Sequence, residues 1–321
     1  MRILLAIDGS RSADQARDLV AALPWHVGGR VRIVSVAPAI NERLAVPSTD
    51  AVPPDGDELE DDVVRIQRDA LVAAEREIRS AHSDLAVQPV LIRGRAASVI
   101  VDQAREMEAD LIVLGHRGQG RWDSILLGSV AAEVVDRAPC PVLVARDERL
   151  GSVILADDGS PHARAAECVV SRWPLFSGLP ITVVTVTDDG FPYASAVAPL
   201  LYTMTMTGYS ETSEAERRTT REEGKAAAGR LREAGFEATA HVREGDPADQ
   251  IIAAARALGT GLIVVGTRGQ TRLRGLILGS VAQKVLLHAP CSVLVIREGT
   301  RLDGRRIELR REEGELVTAF G

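Results

Sequence analysis

Aromatic residues are scarce in this chain: Phe, Trp and Tyr together make up 3% of its 321 residues. Basic residues are not in excess either, because 38 Lys and Arg stand against 45 Asp and Glu, a net charge of −7. An acidic chain with few stacking rings is a poor general nucleic-acid binder. No run of about 18 apolar residues is present, which argues against a membrane span. The N-terminus lacks a signal-peptide pattern, and we therefore expect a cytoplasmic protein.

Cysteine is also sparse, since the chain has only Cys140, Cys168 and Cys291. An odd and small number of cysteines argues against a disulfide framework and fits a reducing compartment. We expect all three to be buried as small hydrophobic side chains.

The chain contains an internal duplication. Residues 111–146 and 262–297 align without gaps, and 21 of these 36 positions are identical. Upstream segments pair at nearly the same offset, as RILLAIDGS does with SVILADDGS. A period of about 150 residues is too long for a solenoid repeat. We therefore predict two copies of one domain, 1–148 and 149–297, followed by a charged tail, 298–321, for which the sequence leaves a strand, a hairpin or disorder open.

Each copy carries five short apolar runs that alternate with helical stretches. The predicted strands are 3–7, 31–36, 86–92, 111–114 and 142–145 in copy one, and 153–156, 181–186, 238–242, 262–265 and 293–296 in copy two. Such runs alternating with helices indicate parallel strands joined by crossover helices. The fold class is therefore α/β, with two tandem, doubly wound, five-stranded parallel-sheet domains. In the charged stretch 58–82, helical spacing predicts a core-facing stripe of Val63, Ile66, Ala70, Ala73, Ala74 and Ile78.

Glycine and serine recur at the predicted carboxyl ends of the strands, where open parallel sheets bind ligands. After the fourth strand, Gly115 and Gly118 are followed nine residues later by Gly128 and Ser129, and copy two repeats the spacing. An Asp-Gly-Ser sequence follows the first strand of each copy, beginning at Asp8 in copy one. Glycine lets a ligand approach the main chain, and Ser129 is a good helix N-cap beside amides that attract anions. The alternative is that the glycines only form turns and that the serines only cap helices.

The pattern Gly-x2-Gly-x9-Gly-Ser, with its N-terminal Asp-Gly-Ser strand, resembles the universal stress protein family, and in particular its tandem-domain, ATP-binding subgroup. The resemblance covers residues 1–297 and implies ATP, bound with Mg²⁺, in each copy. It implies that the nucleotide-binding residues of copy one are Asp8, Val36, Gly115, Arg117, Gly118, Gly128, Ser129 and Val130. It implies the equivalent set Asp158, Val186, Gly266, Arg268, Gly269, Gly279, Ser280 and Val281 in copy two.

The resemblance further implies strand order 3-2-1-4-5 in each copy and association of the copies through their last strands. It also implies a homodimer. Copy two departs from the pattern at Asp157, which replaces Ile7 and adds a carboxylate that we expect to face the phosphates and repel them. Arg272 and Arg274 either offset this charge or belong to a solvated loop, so site one is the stronger candidate.

Other chemistries find little support in the sequence. The P-loop, the Rossmann glycine fingerprint and the Gly-x-Ser-x-Gly elbow are all missing. No histidine pair has metal-ligand spacing, and His116 has Thr267 as its counterpart, which argues against a catalytic role shared by both copies. We expect His116 to face solvent in its loop, with contact to a ligand as the alternative.

The sequence thus predicts an ATP-binding stress-response regulator that is gated by nucleotide and has an unidentified protein partner. No poised general base is visible, so any ATP hydrolysis is expected to be slow. ATP is expected to order the segments 37–57 and 187–210 and the nine-residue loops. Two alternatives stay open: a dimerisation scaffold that binds no nucleotide, and a slow ATPase or phosphotransferase.

Overall fold

The computed structural model describes residues 1–25, 28–38, 56–118, 127–187, 206–267, 278–297, 300–302, 305–312 and 315–320. Most of segments 37–57 and 187–210 lies outside these residues, as do most of both nine-residue loops and Arg268, Gly269, Arg272 and Arg274. Copy one contains strands β1 Arg2–Ala6, β2 Arg30–Ala37, β3 Ala86–Arg93, β4 Leu111–Gly115 and β5 Val142–Ala145. Its helices are α1 Arg11–Ala22, α2 Gly56–Ala81, α3 Ala96–Glu106 and α4 Ser129–Arg137.

Copy two repeats these elements in the same order. Its strands are β6 Val153–Ala156, β7 Ile181–Thr187, β8 Ala238–Glu244, β9 Leu262–Gly266 and β10 Ser292–Ile296. Its helices are α5 Pro161–Arg172, α6 Met206–Glu233, α7 Pro247–Leu258 and α8 Ser280–His288, with a short 3-10 helix at Pro174–Phe176. The predicted α/β architecture is confirmed, and the strand bounds agree with the sequence to within about two residues.

The ten strands form one sheet in the order β3-β2-β1-β4-β5-β10-β9-β6-β7-β8. Within each copy the pairing is parallel and follows the predicted order 3-2-1-4-5. The copies join through β5 and β10, which pair antiparallel with Leu143 opposite Leu294. Association through the last strands is therefore confirmed.

Two apolar cores cover the two faces of this sheet. One packs strand residues such as Ile3 and Leu155 against α1, α2, α5 and α6, and the other packs residues such as Ile112 and Ile263 against α3, α4, α7 and α8. Because most strands are buried on both faces, they read as continuous apolar runs rather than alternating ones.

The buried stripe of α2 differs from the predicted one. Within the described side chains of this helix, 62–81, the buried positions are Gln67, Leu71, Ala74 and Ile78, whereas Ile66 is 45% exposed. Both sets have helical spacing, but counting apolar residues alone passed over the glutamine at the first buried position. A polar side chain, that of Gln67, therefore lies on the buried face of α2.

Side chains of each copy also form hydrogen bonds with the other copy across the β5–β10 junction. Arg146 donates to the carbonyl of Leu286 at 2.5 Å, and Arg297 donates to the carbonyls of Val135 and Asp136 at 2.5 and 3.0 Å. Each arginine thus binds terminal carbonyls of the last helix of the other copy, where a positive charge is favourable.

The tail forms a small antiparallel sheet with strands β11 Arg301–Leu302, β12 Arg305–Glu312 and β13 Glu315–Phe320. Strands β12 and β13 pair as a hairpin and lie against α5. Of the forms that the sequence left open, the structure shows the hairpin.

Candidate functional site

In copy one, a turn at Asp8 joins the end of β1 to the segment that follows β4. The Asp8 Oδ1 atom accepts a hydrogen bond from the Ser10 amide at 3.0 Å, and Gly9 within the turn has a φ of 80°. The Ser10 hydroxyl accepts from the Ala13 amide at 3.2 Å and donates to the carbonyl of Arg117 at 3.3 Å. The predicted residues Asp8 and Arg117, far apart in sequence, are therefore brought together.

The first two glycines of the motif have different surroundings. A Cβ atom at Gly115 would lie 2.5 Å from the backbone of Ser12, so this glycine allows α1 to pack against the end of β4. A Cβ atom at Gly118 would lie 2.7 Å from Asp8 Oδ2. The main chain at Gly118 therefore lies close to the Asp8 carboxylate. At Gly115, a side chain would clash with the packing of α1 against β4.

The third glycine, Gly128, is itself the N-cap of α4, and its amide donates to the carbonyl of His116 at 2.8 Å. Ser129 is the first helical residue and makes no side-chain cap, which corrects the prediction that it is the N-cap. The sequence Gly-Ser fits either register, because glycine is also an acceptable N-cap. Ser129 and Val130 are exposed, and first-turn amides have no partner within a helix.

His116 lies half-buried between β4 and β5, which corrects the prediction that it faces solvent. Its amide donates to the carbonyl of Ala145 at 3.1 Å, and its Nδ1 atom lies 3.3 Å from the same oxygen. Burial, with the charges of Arg146 and Arg117, lowers the pKa of His116, although the contact with Ala145 opposes this. The ring is therefore expected to be neutral near pH 7.

At the end of β2, the sequence indicated Val36 but missed the residue that contacts it. Gln67 on α2 is 5% exposed, and its Nε2 atom donates to the carbonyl of Val36 at 2.9 Å. The Val36 side chain is partly buried and packs against the core beneath α3 and α4. The helical spacing of Gln67, Leu71, Ala74 and Ile78 was the signal that would have found this glutamine.

Copy two repeats most of the same geometry. The Ser160 amide donates to Asp158 Oδ1 at 3.0 Å, and the Gly279 amide donates to the carbonyl of Thr267 at 2.7 Å. Gly279 is the N-cap of α8 and Ser280 its first residue, so the same correction of register applies. Val186 and Val281 are partly buried at positions equivalent to Val36 and Val130. A Cβ atom at Gly266 would lie 2.7 Å from the side chain of His162.

The extra carboxylate of copy two does not occupy the position that we expected. Asp157 is 5% exposed and, like Leu155 two residues earlier, lies on the face covered by α5 and α6. Its Oδ1 atom accepts from the Gly159 amide at 3.1 Å. Burial raises the pKa of Asp157, as does the neighbouring charge of Asp158, while the bond from Gly159 and the charge of Arg164 lower it. The prediction that Asp157 faces the phosphates is therefore wrong.

Two further carboxylates, those of Glu223 and Glu167, lie near Asp157, and the sequence analysis identified neither. Glu223 on α6 lies against Gly159, and burial together with the charge of Asp157 raises its pKa. Glu167 on α5 is held by Arg230 at 2.6 and 2.7 Å and by Arg164 at 3.0 Å. The end of β6 thus carries Asp157 and Glu223 in addition to Asp158, whereas the end of β1 carries Ile7 and Asp8.

Within the described ranges, no group of three or more His, Cys, Asp or Glu side chains has the geometry of a metal site. None of the helices in that part of the chain is long and apolar enough to cross a membrane. All three cysteines are buried and unpaired, as predicted, and burial raises the pKa of Cys140 and of Cys291 to about 12.

Sheet order and strand-end turns define a tandem α/β protein with one candidate ligand cleft per copy. The universal stress protein family model matches residues 1–146 and again 150–297. The chain therefore belongs to the universal stress protein family, as its motifs had indicated.

A universal stress protein of Thermus aquaticus is 35% identical over 144 residues, which is 45% of this chain and 97% of that protein. One from Mycobacterium tuberculosis is 32% identical over 46% of this chain, and this alignment spans about half of that relative, 48% of its length. The crystal structure of a universal stress protein from Archaeoglobus fulgidus aligns with 93% of this chain and 98% of its own, with a TM-score of 0.62 and 19% identity. A universal stress protein solved in complex with cAMP aligns with 46% of this chain and 97% of its own, at 25% identity and a TM-score of 0.33.

Proposed function

We propose that this protein binds ATP with Mg²⁺ and acts as a nucleotide-gated stress-response regulator. One observation carries the proposal: the N-terminus of α4, the Gly118 main chain and Asp8 converge at the carboxyl ends of β1 and β4. This is where open α/β sheets bind ligands, and a helix N-terminus favours phosphate.

The residues fit a nucleoside triphosphate in shape and charge. A Cβ atom at Gly118 would lie 2.7 Å from Asp8 Oδ2, so glycine keeps the main chain close to this carboxylate, whereas a Cβ atom at Gly128 would lie at an ordinary contact distance of 3.4 Å from Arg117 Cα. In the proposal, the first-turn amides and the hydroxyl of Ser129 bind the phosphates, and Mg²⁺ supplies charge neutralisation when bound. Asp8 and the end of β2 bind the nucleoside.

The same geometry favours binding over turnover. Asp8 Oδ1 accepts from the Ser10 amide, and in this proposal the Asp8 carboxylate binds the nucleoside rather than an attacking water. A general base needs a free acceptor within hydrogen-bond reach of the attacking water. We therefore propose at most slow hydrolysis, with regulation exerted through the protein surface that a partner contacts.

Copy two is proposed to be the weaker site. The arrangement around Gly279 and Ser280 matches copy one, but Glu223 adds a carboxylate at the end of β6 beside Asp158, the counterpart of Asp8. A nucleoside triphosphate entering there meets like charge, which costs affinity. A cytoplasmic location and a homodimer complete the proposal.

The test begins with protein purified without added nucleotide. The protein is denatured, and any released nucleotide is identified by mass and quantified per chain, and calorimetric titrations with Mg-ATP and with cAMP follow. We expect about one tightly bound ATP per chain and a second, weaker site. No released nucleotide together with no heat of binding would overturn the proposal in favour of a scaffold, and preferential binding of cAMP would redirect it.

Gating is tested separately by limited proteolysis with and without Mg-ATP. We expect Mg-ATP to protect sites near the cleft of copy one. Identical cleavage patterns at saturating ATP would contradict nucleotide gating and would support a protein that binds ATP without changing conformation.

A further inference from the structure

Gln67 combines burial, one strong contact and one unused polar atom. It is 5% exposed, and its Nε2 atom is bonded to the carbonyl of Val36. Its Oε1 atom is buried and has no hydrogen-bond partner among the described residues. A buried acceptor without a donor is costly, and native proteins rarely keep one without a use.

The orientation of this amide is determined by its neighbour. If the amide were flipped, Oε1 would face the Val36 carbonyl, and two acceptors would be in contact. The donor therefore faces Val36, and Oε1 is held as an acceptor.

The contact lies at one end of the proposed nucleotide cleft. The carbonyl of Val34 accepts from the amide of Ile7 at 2.9 Å and so points toward β1. Val36 lies two residues further along β2, so its carbonyl points the same way. Because β1 ends at Ala6, the Val36 carbonyl and the Gln67 amide lie beyond the end of that strand, on the side of Asp8.

We propose that Gln67 determines base specificity in the site of copy one, an inference that rests on the proposed nucleotide-binding function. Its fixed acceptor receives a hydrogen bond from the exocyclic 6-amino group of adenine. Guanine and hypoxanthine, the base of inosine triphosphate, carry a 6-oxo group at that position. Their oxygen would therefore lie against Gln67 Oε1, and two acceptors would be in contact. A site with a buried hydrogen-bonding group rejects the ligand that leaves this group unpaired.

Copy two differs at the equivalent position. The buried residues Gly224, Ala227 and Leu231 of α6 have the same spacing as Leu71, Ala74 and Ile78 of α2. Counting back four residues from Gly224 gives Thr220 as the counterpart of Gln67. A threonine is shorter than a glutamine and carries no amide, so base selection of this kind belongs to copy one.

The test compares ATP with inosine triphosphate, which differs from ATP only in the 6-position and the adjoining ring nitrogen. Calorimetric titrations use a background with Ser280→Glu, which places a negative charge where copy two would bind phosphate. We expect this protein to bind ATP about tenfold more tightly than inosine triphosphate, the effect of one buried hydrogen bond. Gln67→Leu should reduce the ratio to about one, chiefly by weakening ATP.

Gln67→Met, which is unbranched and of similar length, repeats the test if the leucine variant folds poorly, as judged by its thermal transition. Thr220→Val is the matched control in copy two and should leave the ratio unchanged. A parallel loss of both nucleotides in the Gln67 variants, or equal affinities before substitution, would overturn the inference while leaving nucleotide binding in place. Binding of neither nucleotide by the unsubstituted protein would instead overturn the proposed function itself.

Discussion

Arg146, the residue after β5, donates a hydrogen bond of 2.5 Å to the carbonyl of Leu286 near the end of α8. Its charge also lowers the pKa of His116, in the turn after β4. One side chain therefore lies between the candidate site of copy one and the last helix of copy two. Arg297 makes the reciprocal contact with α4, the helix whose N-terminus forms part of that site.

Replacement of Arg146 by Met should weaken the junction between the copies. The substitution leaves the carbonyl of Leu286 without this donor, and we expect a loss of about 1–3 kcal/mol in the free energy of unfolding. Urea unfolding measures the loss. Arg149→Met, at an exposed position three residues away, is the control and should change stability little. Equal effects of the two substitutions would contradict a specific role for Arg146.

Ser129→Glu should separate phosphate binding from helix stability. A carboxylate in the first turn favours the helix dipole by about 0.3–1 kcal/mol, yet it repels a triphosphate at the same place. We expect unchanged or slightly raised thermal stability and a loss of ATP affinity of at least about tenfold in site one.

The matched control for this substitution is Ala96→Glu, which is also at the first position of a helix in copy one. It should leave ATP binding unchanged in the same calorimetric titration. If the two variants lost affinity equally, the effect would be one of overall charge, and α4 would have no special role.

Gly115→Ala should chiefly lower stability, whereas Gly118→Ala should chiefly lower ATP affinity. At Gly115 the new methyl group would meet the Ser12 backbone, which cannot move aside easily, so we expect a loss of about 1–3 kcal/mol in stability. At Gly118 it would meet the Asp8 side chain, which can rotate, so stability should change less than ATP affinity does. Chemical denaturation and calorimetry on both variants test this contrast, and a Gly118 variant as unstable as the Gly115 variant would contradict it.

Asp157 should make the stability of copy two depend on pH. Because burial raises the pKa of Asp157 in the folded state, the folded protein holds this proton more tightly than the unfolded chain does. The free energy of unfolding therefore falls as pH rises from about 4 through the folded pKa. The stability of Asp157→Asn relative to the unsubstituted protein should then be greater at pH 8 than at pH 5, as measured by urea unfolding.

Other charges face Asp157, namely Asp158, Glu167, Glu223 and Arg164. Because the charge of Asp157 raises the pKa of Glu167 and of Glu223, the difference between variant and parent reports Asp157 together with its effect on these two carboxyl groups. Ile7→Asp offers the converse experiment in copy one and should introduce a pH dependence of the same sign. A difference that stays constant or declines with rising pH would show that Asp157 is ionised at little cost.

Much of the fold was predictable because strands buried on both faces leave an unmistakable pattern of short apolar runs. The duplication strengthened this, since each run could be checked against its counterpart. The pairing of β5 with β10 came from the family resemblance and is confirmed by the register of Leu143 with Leu294.

The site was less predictable where two registers fit one sequence. Gly128 and Ser129 both make acceptable N-caps, so propensity alone did not decide between them. Gln67 was passed over because an apolar count omits polar residues, although its spacing placed it in the buried stripe. Asp157 was expected to face the phosphates because it lies beside Asp158 at the strand end, whereas the alternation that continues from Leu155 buries it under α5 and α6.

The antiparallel pairing of β5 with β10 has a consequence for how the two halves evolve and assemble. Two separate chains would have to find each other at a rate and extent set by their concentration, whereas covalent linkage supplies a high effective concentration at every expression level. The junction therefore persists on dilution, and it always brings together one of each half rather than two alike. The two halves can therefore diverge in sequence, as they have at the equivalent positions Ile7 and Asp157, without forming mismatched pairs.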